Sequence, residues 1–133
     1  MNYELLLREH ALKVTPQRLG ILSLMQKTGH ISIDTLYLEI KKQFSTISLA
    51  TLYKNIHAMM EKALIKEVKI PHMKSRYEIA KAEHGHLLCQ KCGSFTDIKL
   101  DLSKALNHLK NESGYLIEES HLVLSGICPR CQQ

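Results

Sequence analysis

The sequence predicts an α+β protein, with a helical half that closes on a β-hairpin and a small α/β half stapled by metal. Three observations carry this. Helical spacing recurs four times before residue 64, two short β-rich runs follow, and every cysteine falls in one of two CxxC pairs. A chain of 133 residues suffices for one domain or two small ones, not for a large enzyme. Hydrophobic residues at 44% and charged residues at 23% exclude long disorder, a collagen-like chain and a coiled coil. The longest apolar run, Leu19 to Met25, is broken by Gly20 and Ser23 and is too short to span a bilayer. Glu4, Arg8 and Glu9 among the first leucines argue against a signal peptide. A cytoplasmic protein with no membrane partner is expected.

The elements follow in order. A first helix is expected at about Tyr3 to Ala11, on Leu5, Leu6 and Leu7. The second opens at Thr15-Pro16, where Thr caps and Pro at the first helical position loses no needed hydrogen bond. Leu19, Leu22 and Met25 share one face, and Gly29 ends the helix. The third starts at Ser32 and keeps Ile33, Leu36, Tyr37, Ile40 and Phe44 in register. The fourth starts at Ser48, with Leu49, Leu52, Ile56, Met59 and Ala63 as its buried stripe. Leu64–Ile70 and Ser75–Ile79, joined by Pro71-His72-Met73-Lys74, read as a hairpin. Three helices after a leading one, then a hairpin, is the order of a winged helix-turn-helix. Beyond it, Ser103 to Glu112 has helical spacing and Tyr115 to Ile127 is strand-like.

Charge divides the chain. Residues 1–74 hold eleven Lys and Arg against six Asp and Glu, whereas residues 75–133 hold seven of each. The surplus suggests an anionic partner, nucleic acid or a membrane surface. On the fourth helix, Ala50, Thr51, Lys54 and Ala58 point outward, flanked by Tyr53 and Asn55. Small residues allow close approach to base edges, and Thr, Tyr and Lys supply contacts to bases and phosphates. The bland alternative is a solvated helix face. Lys66, Lys69, Lys74 and Arg76 add charge on the hairpin, where a wing would meet phosphates.

Cys89-x-x-Cys92 and Cys128-x-x-Cys131 have the spacing of a tetrahedral four-cysteine zinc site. Disulfides and redox thiols are the alternatives; nothing indicates secretion, and cytosolic disulfides are rare. The 35-residue gap between the pairs leaves room for a strand, a helix and another strand. Residues 81–133 form a unit too small for a comfortable core, where a metal or an oligomer usually helps. Just before the first pair stands His84-Gly85-His86. In a strand both imidazoles point to one side, a start for a Zn, Fe, Mn or Ni site. The tight turn at Lys91–Gly93 could bring Asp97 alongside on a neighbouring strand. Two His and one carboxylate suit non-haem iron or manganese. A second structural zinc or a solvated His pair are the alternatives. His10, His57, His72 and His108 sit singly and read as surface or core histidines.

Three stretches together resemble the ferric uptake regulator family of bacterial metal-dependent repressors. They are Lys13-Val14-Thr15-Pro16-Gln17-Arg18, Ser48 to Ile56, and His84-Gly85-His86-Leu87-Leu88-Cys89-Gln90-Lys91-Cys92-Gly93. The resemblance covers nearly the whole chain. It implies a homodimer on double-stranded operator DNA, with no enzymatic activity. Residues 1–80 would be the DNA-binding domain, 80–83 a hinge, and 84–133 the dimerisation and metal-binding domain. It implies structural Zn(II) at the four cysteines and regulatory Fe(II) or Mn(II) at His30, Glu78, His84, His86 and Asp97. Such a metal would clamp one domain against the other and set the angle at which two recognition helices meet successive major grooves. Lys13 matches a minor-groove contact, and Thr51, Tyr53 and Lys54 lie in the recognition motif.

Two departures choose a branch. An additional metal site of the iron-sensing members is expected to be absent. Gly85 replaces its Asp ligand, Lys104 stands where a Glu is expected, and His121 alone remains. The sensing carboxylate is Asp97 rather than Glu, which in the family goes with the peroxide-responsive branch. There, bound Fe(II) reacts with hydrogen peroxide, a ligand histidine is oxidised, and the DNA is released. The matching positions are His84 and His86. Glu78 stands where peroxide sensors commonly carry Asp and keeps the carboxylate. An iron-responsive repressor that senses Fe(II) occupancy is the alternative within the family. A small metalloenzyme using His84, His86 and Asp97 is disfavoured, because no nucleophile or acid/base stands beside them.

Overall fold

The computed structural model describes residues 1–133, and the chain divides into two compact units, Met1–Ala80 and Lys81–Gln133. The architecture is mixed α+β, with two small three-stranded sheets. No helix is long and apolar enough to cross a membrane.

The first unit contains α1 (Tyr3–Glu9), α2 (Pro16–Thr28), β1 (Ile31–Ser32), α3 (Ile33–Gln43), α4 (Leu49–Glu61), β2 (Ile65–Val68) and β3 (Arg76–Ile79). Each helix starts where a side chain satisfies an otherwise orphaned amide. Asn2, Thr15, Ser32 and Ser48 accept from the amides of Leu5, Arg18, Thr35 and Thr51. Gly29 ends α2 at φ 82°, a conformation that costs a side chain dearly. Leu22, Met25, Leu36, Ile40, Leu52, Ile56 and Met59 then meet in one continuous core.

Two expectations on α4 need correction. Leu49 is 42% exposed, because it sits in the first turn at the edge of the apolar stripe. Ala63 is exposed beyond the helix end, at φ 58°, where the chain turns into β2. The unexpected element is β1. Two residues give no periodicity to read, yet Ile31 pairs with Tyr77 and Ser32 with Arg76, which makes a sheet of order β1-β3-β2 from the hairpin.

The second unit contains β4 (His84–Cys89), β5 (Phe95–Lys99), α5 (Ser103–Ser113), β6 (Val123–Gly126) and a short 3-10 turn, Pro129–Gln132. β4 is central, antiparallel to β5 and parallel to β6. The long strand expected over Tyr115 to Ile127 contracts to four residues. Pairing with β4 begins where the Leu122 carbonyl accepts from the His86 amide at 3.0 Å. Upstream, Tyr115 and Leu116 are 73% and 77% exposed.

Candidate functional site

The two CxxC turns close the same end of the second unit. Cys89 ends β4, Cys92 follows in the turn to β5, Cys128 follows β6, and Cys131 lies on the 3-10 turn. Parallel pairing of β4 with β6 sets Cys89 opposite Gly126 and so brings the turns together. All four sulfurs lie within 4.8 Å of one another as free thiols. Four sulfurs at about 2.3 Å from a tetrahedral zinc stand about 3.8 Å apart. The Sγ atoms of Cys92 and Cys128 are 3.8 Å apart, far beyond a disulfide bond. The amides of Cys92 and Cys128 both donate to Cys89 Sγ, at 3.4 and 3.3 Å, and lower its pKa. Cys92 is lowered to about 5, chiefly by a hydrogen bond with the Ser94 side chain. Cys131 is pushed up to about 12, chiefly by its hydrogen bond with Cys128. Four thiolates this close repel one another, and a cation among them relieves that repulsion. The donor set fits a structural zinc.

A second set is built on β4 and β5. Lys91–Gly93 does return the chain tightly, with Gly93 at φ 77°, and the register sets His86 opposite Asp97. The ligand atoms of His84, His86 and Asp97 lie within 4.8 Å of one another. His84 Nδ1 lies 2.9 Å from the Ala82 carbonyl. A carbonyl only accepts, so Nδ1 carries the hydrogen and Nε2 keeps its lone pair, the tautomer a metal ligand needs. His86 is buried, stacked on Phe95 with ring centroids 4.7 Å apart, and its Nε2 lies 3.1 Å from Asp97 Oδ1. Lys81 pairs with the other oxygen, Oδ2. Burial pushes the Asp97 carboxyl up, but the Lys81 hydrogen bond and charge, helped by His86 and His84, outweigh it and leave it lowered. Asp97 is therefore an anion beside two imidazoles, a donor set that fits Fe(II) or Mn(II). A cavity of about 760 Å³, lined in part by Lys81, His84, Asp97 and Lys99, opens beside it.

The remaining candidate ligands belong to the first unit. Glu78 is buried on β3, and the β1–β3 register, continued by one residue, sets His30 opposite it. His30 Nδ1 lies 3.1 Å from Arg76 Nη1. A guanidinium only donates, so this nitrogen accepts and a neutral His30 carries its hydrogen on Nε2, the reverse of His84. Gly85, which stands where the iron-sensing members carry the Asp of their additional metal site, has little room for a side chain. A Cβ there would come within 3.2 Å of Leu122 and 3.3 Å of Ile98.

In the first unit, Ala50, Thr51, Tyr53, Lys54 and His57 line a shallow depression of about 290 Å³ on α4. Tyr53 and Lys54 are exposed. Thr51 is half-buried, and its hydroxyl accepts from Ser48 at 2.9 Å. Lys13 lies in the loop before α2, and Arg18 ties that loop to α4. Arg18 Nη1 donates to the Lys13 carbonyl at 3.0 Å, and its Nε donates to Asn55 Oδ1 at 3.0 Å. Arg18 and Asn55 stand in two of the quoted motifs, but the bond that joins them across 37 residues is not legible in the sequence. On the hairpin, Lys74 pairs with Asp34 and Arg76 faces His30.

A chain that joins a basic helical unit to a neutral unit with two metal-fitting donor sets has the make-up of a metal-responsive regulator. It belongs to the ferric uptake regulator family, whose model matches residues 9–125. The peroxide operon regulator of Bacillus subtilis (strain 168) is 28% identical over 129 residues, covering 96% of this chain and 89% of that protein. The crystal structure of the Campylobacter jejuni peroxide stress regulator superimposes with a TM-score of 0.77 at 36% identity, covering 98% of this chain and 100% of that one. The Vibrio cholerae ferric uptake regulator superimposes with a TM-score of 0.75 at 26% identity, covering 96% and 100%. The resemblance is thus to the peroxide-responsive branch of the family.

Proposed function

We propose that this chain is a homodimeric DNA-binding repressor that senses hydrogen peroxide through a regulatory metal site. One observation carries the reading: His84, His86 and Asp97 converge on adjacent strands, with an aspartate at the sensing position and a cavity beside it. The regulatory ion is assigned to these three, and the family pattern adds His30 and Glu78. Hydrogen peroxide would be the two-electron oxidant, giving one oxygen atom to the ring of His84 or His86 and leaving the other as water, and Fe(II) held there would supply the redox chemistry that cleaves the O–O bond. His84 is held for this by Ala82, and His86 by its stacking on Phe95. The four cysteines would hold Zn(II) and tie the ends of β4 and β6 together.

Residues 1–80 would act as a winged helix-turn-helix, with α3 and α4 as the helix pair and β2–β3 as the wing. Tyr53 and Lys54 would enter the major groove, with Thr51 at its edge, and Lys13 the minor groove. The basic surplus lies wholly in this unit, which supports the assignment. Residues 84–133 would dimerise after a hinge at 80–83. The exposed Leu109, Tyr115, Leu116 and Leu124 support this, since a small unit seldom leaves such side chains in water.

The experiment is mass spectrometry of the iron-loaded, zinc-replete protein before and after peroxide. The peptide holding His84 and His86 should gain about 16 Da, one oxygen atom. No gain, with release of DNA by chelation alone, would establish the iron-occupancy reading instead. Glu78 is the feature that favours that second reading, because its carboxylate reaches one methylene further than the aspartate common among peroxide sensors.

A further inference from the structure

We propose that Lys81 is a positioning residue for the regulatory metal: it holds Oδ2 of Asp97, so that the carboxylate offers only Oδ1 to an ion at His86. The inference rests on the metal-site reading above and goes beyond its ligand list. The two carboxylate oxygens have different partners. Oδ1 faces His86 Nε2 at 3.1 Å, and Oδ2 is taken by the Lys81 ammonium. Register fixes the first contact, since His86 and Asp97 are directly opposed. The second comes from a residue outside the motif His84 to Gly93, three positions before His84.

An unrestrained carboxylate can bind a metal through one oxygen or through both. A lysine on the second oxygen favours the one-oxygen mode. That mode leaves a coordination position for a small molecule from the cavity that Lys81, His84 and Asp97 line. The same ammonium places a positive charge near a divalent cation and so weakens binding. Lys81 thereby trades metal affinity for access to the metal.

The test uses full-length, zinc-replete protein with Mn(II) alone as the probe. Electron paramagnetic resonance titration gives the affinity, and water-proton relaxation gives the number of exchangeable waters on the bound ion. For Lys81→Met we expect binding about tenfold tighter, the scale of one removed like charge near a partly solvated site. We also expect lower water relaxivity, because Asp97 closes with both oxygens. Lys81→Arg, which keeps a donor for Oδ2, should retain the wild-type relaxivity. Unchanged relaxivity in Lys81→Met would overturn the proposal, even if affinity rises. If His86→Ala leaves Mn(II) binding by the wild-type background intact, the metal-site reading itself falls, and with it the role of Lys81.

Discussion

The two units solve the stability problem in opposite ways. Residues 1–80 gather fifteen buried hydrophobic side chains into one cluster, from Leu7 on α1 to Tyr77 on β3. In residues 81–133 the buried apolar side chains are Leu88, Cys89 and Phe95, joined by His86, while Leu109, Tyr115, Leu116 and Leu124 are half or more exposed. Burial at roughly 25 cal/mol per Å² can hold the first unit together unaided. The second has too little to bury and concentrates its binding groups in four thiols and a His/Asp cluster. The part that recognises DNA in our reading is therefore rigid in its own right. The part that senses metal depends on what it binds.

Four experiments would break or sharpen this contrast. The largest effect belongs to Cys131→Ser or to zinc removal by a chelator. Structural zinc sites contribute on the order of 10 kcal/mol to folding. Hydrogen exchange should show protection lost across β4–β6 while α2–α4 stay protected; loss in both units together would refute their independence. Next, Leu36→Ala should cost about 2–5 kcal/mol, read from chemical denaturation followed by helical circular dichroism. Zinc content should stay unchanged, and a coupled loss of zinc would count against the contrast.

Gly85→Ala comes third, at about 1 kcal/mol, because its new methyl must push Leu122 and Ile98 aside in the second unit. The thermal transition of that unit should fall; an unaltered transition would mean that these side chains yield freely. The smallest effect is at the start of α5. Asp101 Oδ1 accepts from the Ser103 amide at 2.9 Å; the Ser103 hydroxyl first, and this amide second, lower the carboxyl pKa. A lowered folded-state pKa stabilises above the ordinary carboxylate pKa and is lost as pH falls through the folded value. Amide exchange at Ser103 should therefore quicken only in acid. Asp101→Asn, which keeps an acceptor, should flatten that dependence, and a persistent pH step would implicate another group.

Legibility in the sequence also differed between the units. Helix starts in the first unit could be read residue by residue, because Thr15, Ser32 and Ser48 act on amides three residues away. The four-cysteine cluster was legible because each CxxC turn preassembles two sulfurs. Strand lengths were not. Ile31–Ser32 becomes a strand because Arg76 and Tyr77 arrive beside it, and Tyr115–His121 stays irregular although its residues suit a strand. β-propensity describes a fit to neighbours, which only the assembled sheet supplies.

By itself, the sequence determined the α+β class, the helix starts at Thr15, Ser32 and Ser48, the uneven charge and the chemistry of the metal-binding groups. These depend on residue type and on partners within a few positions. Tertiary structure alone decided that His86 faces Asp97, that Lys81 holds the second oxygen of that carboxylate, and that Arg76 engages His30. It also decided that Leu122 and Ile98 fill the space at Gly85. Each depends on a strand register or on packing between distant segments, where a shift of one residue would exchange every partner.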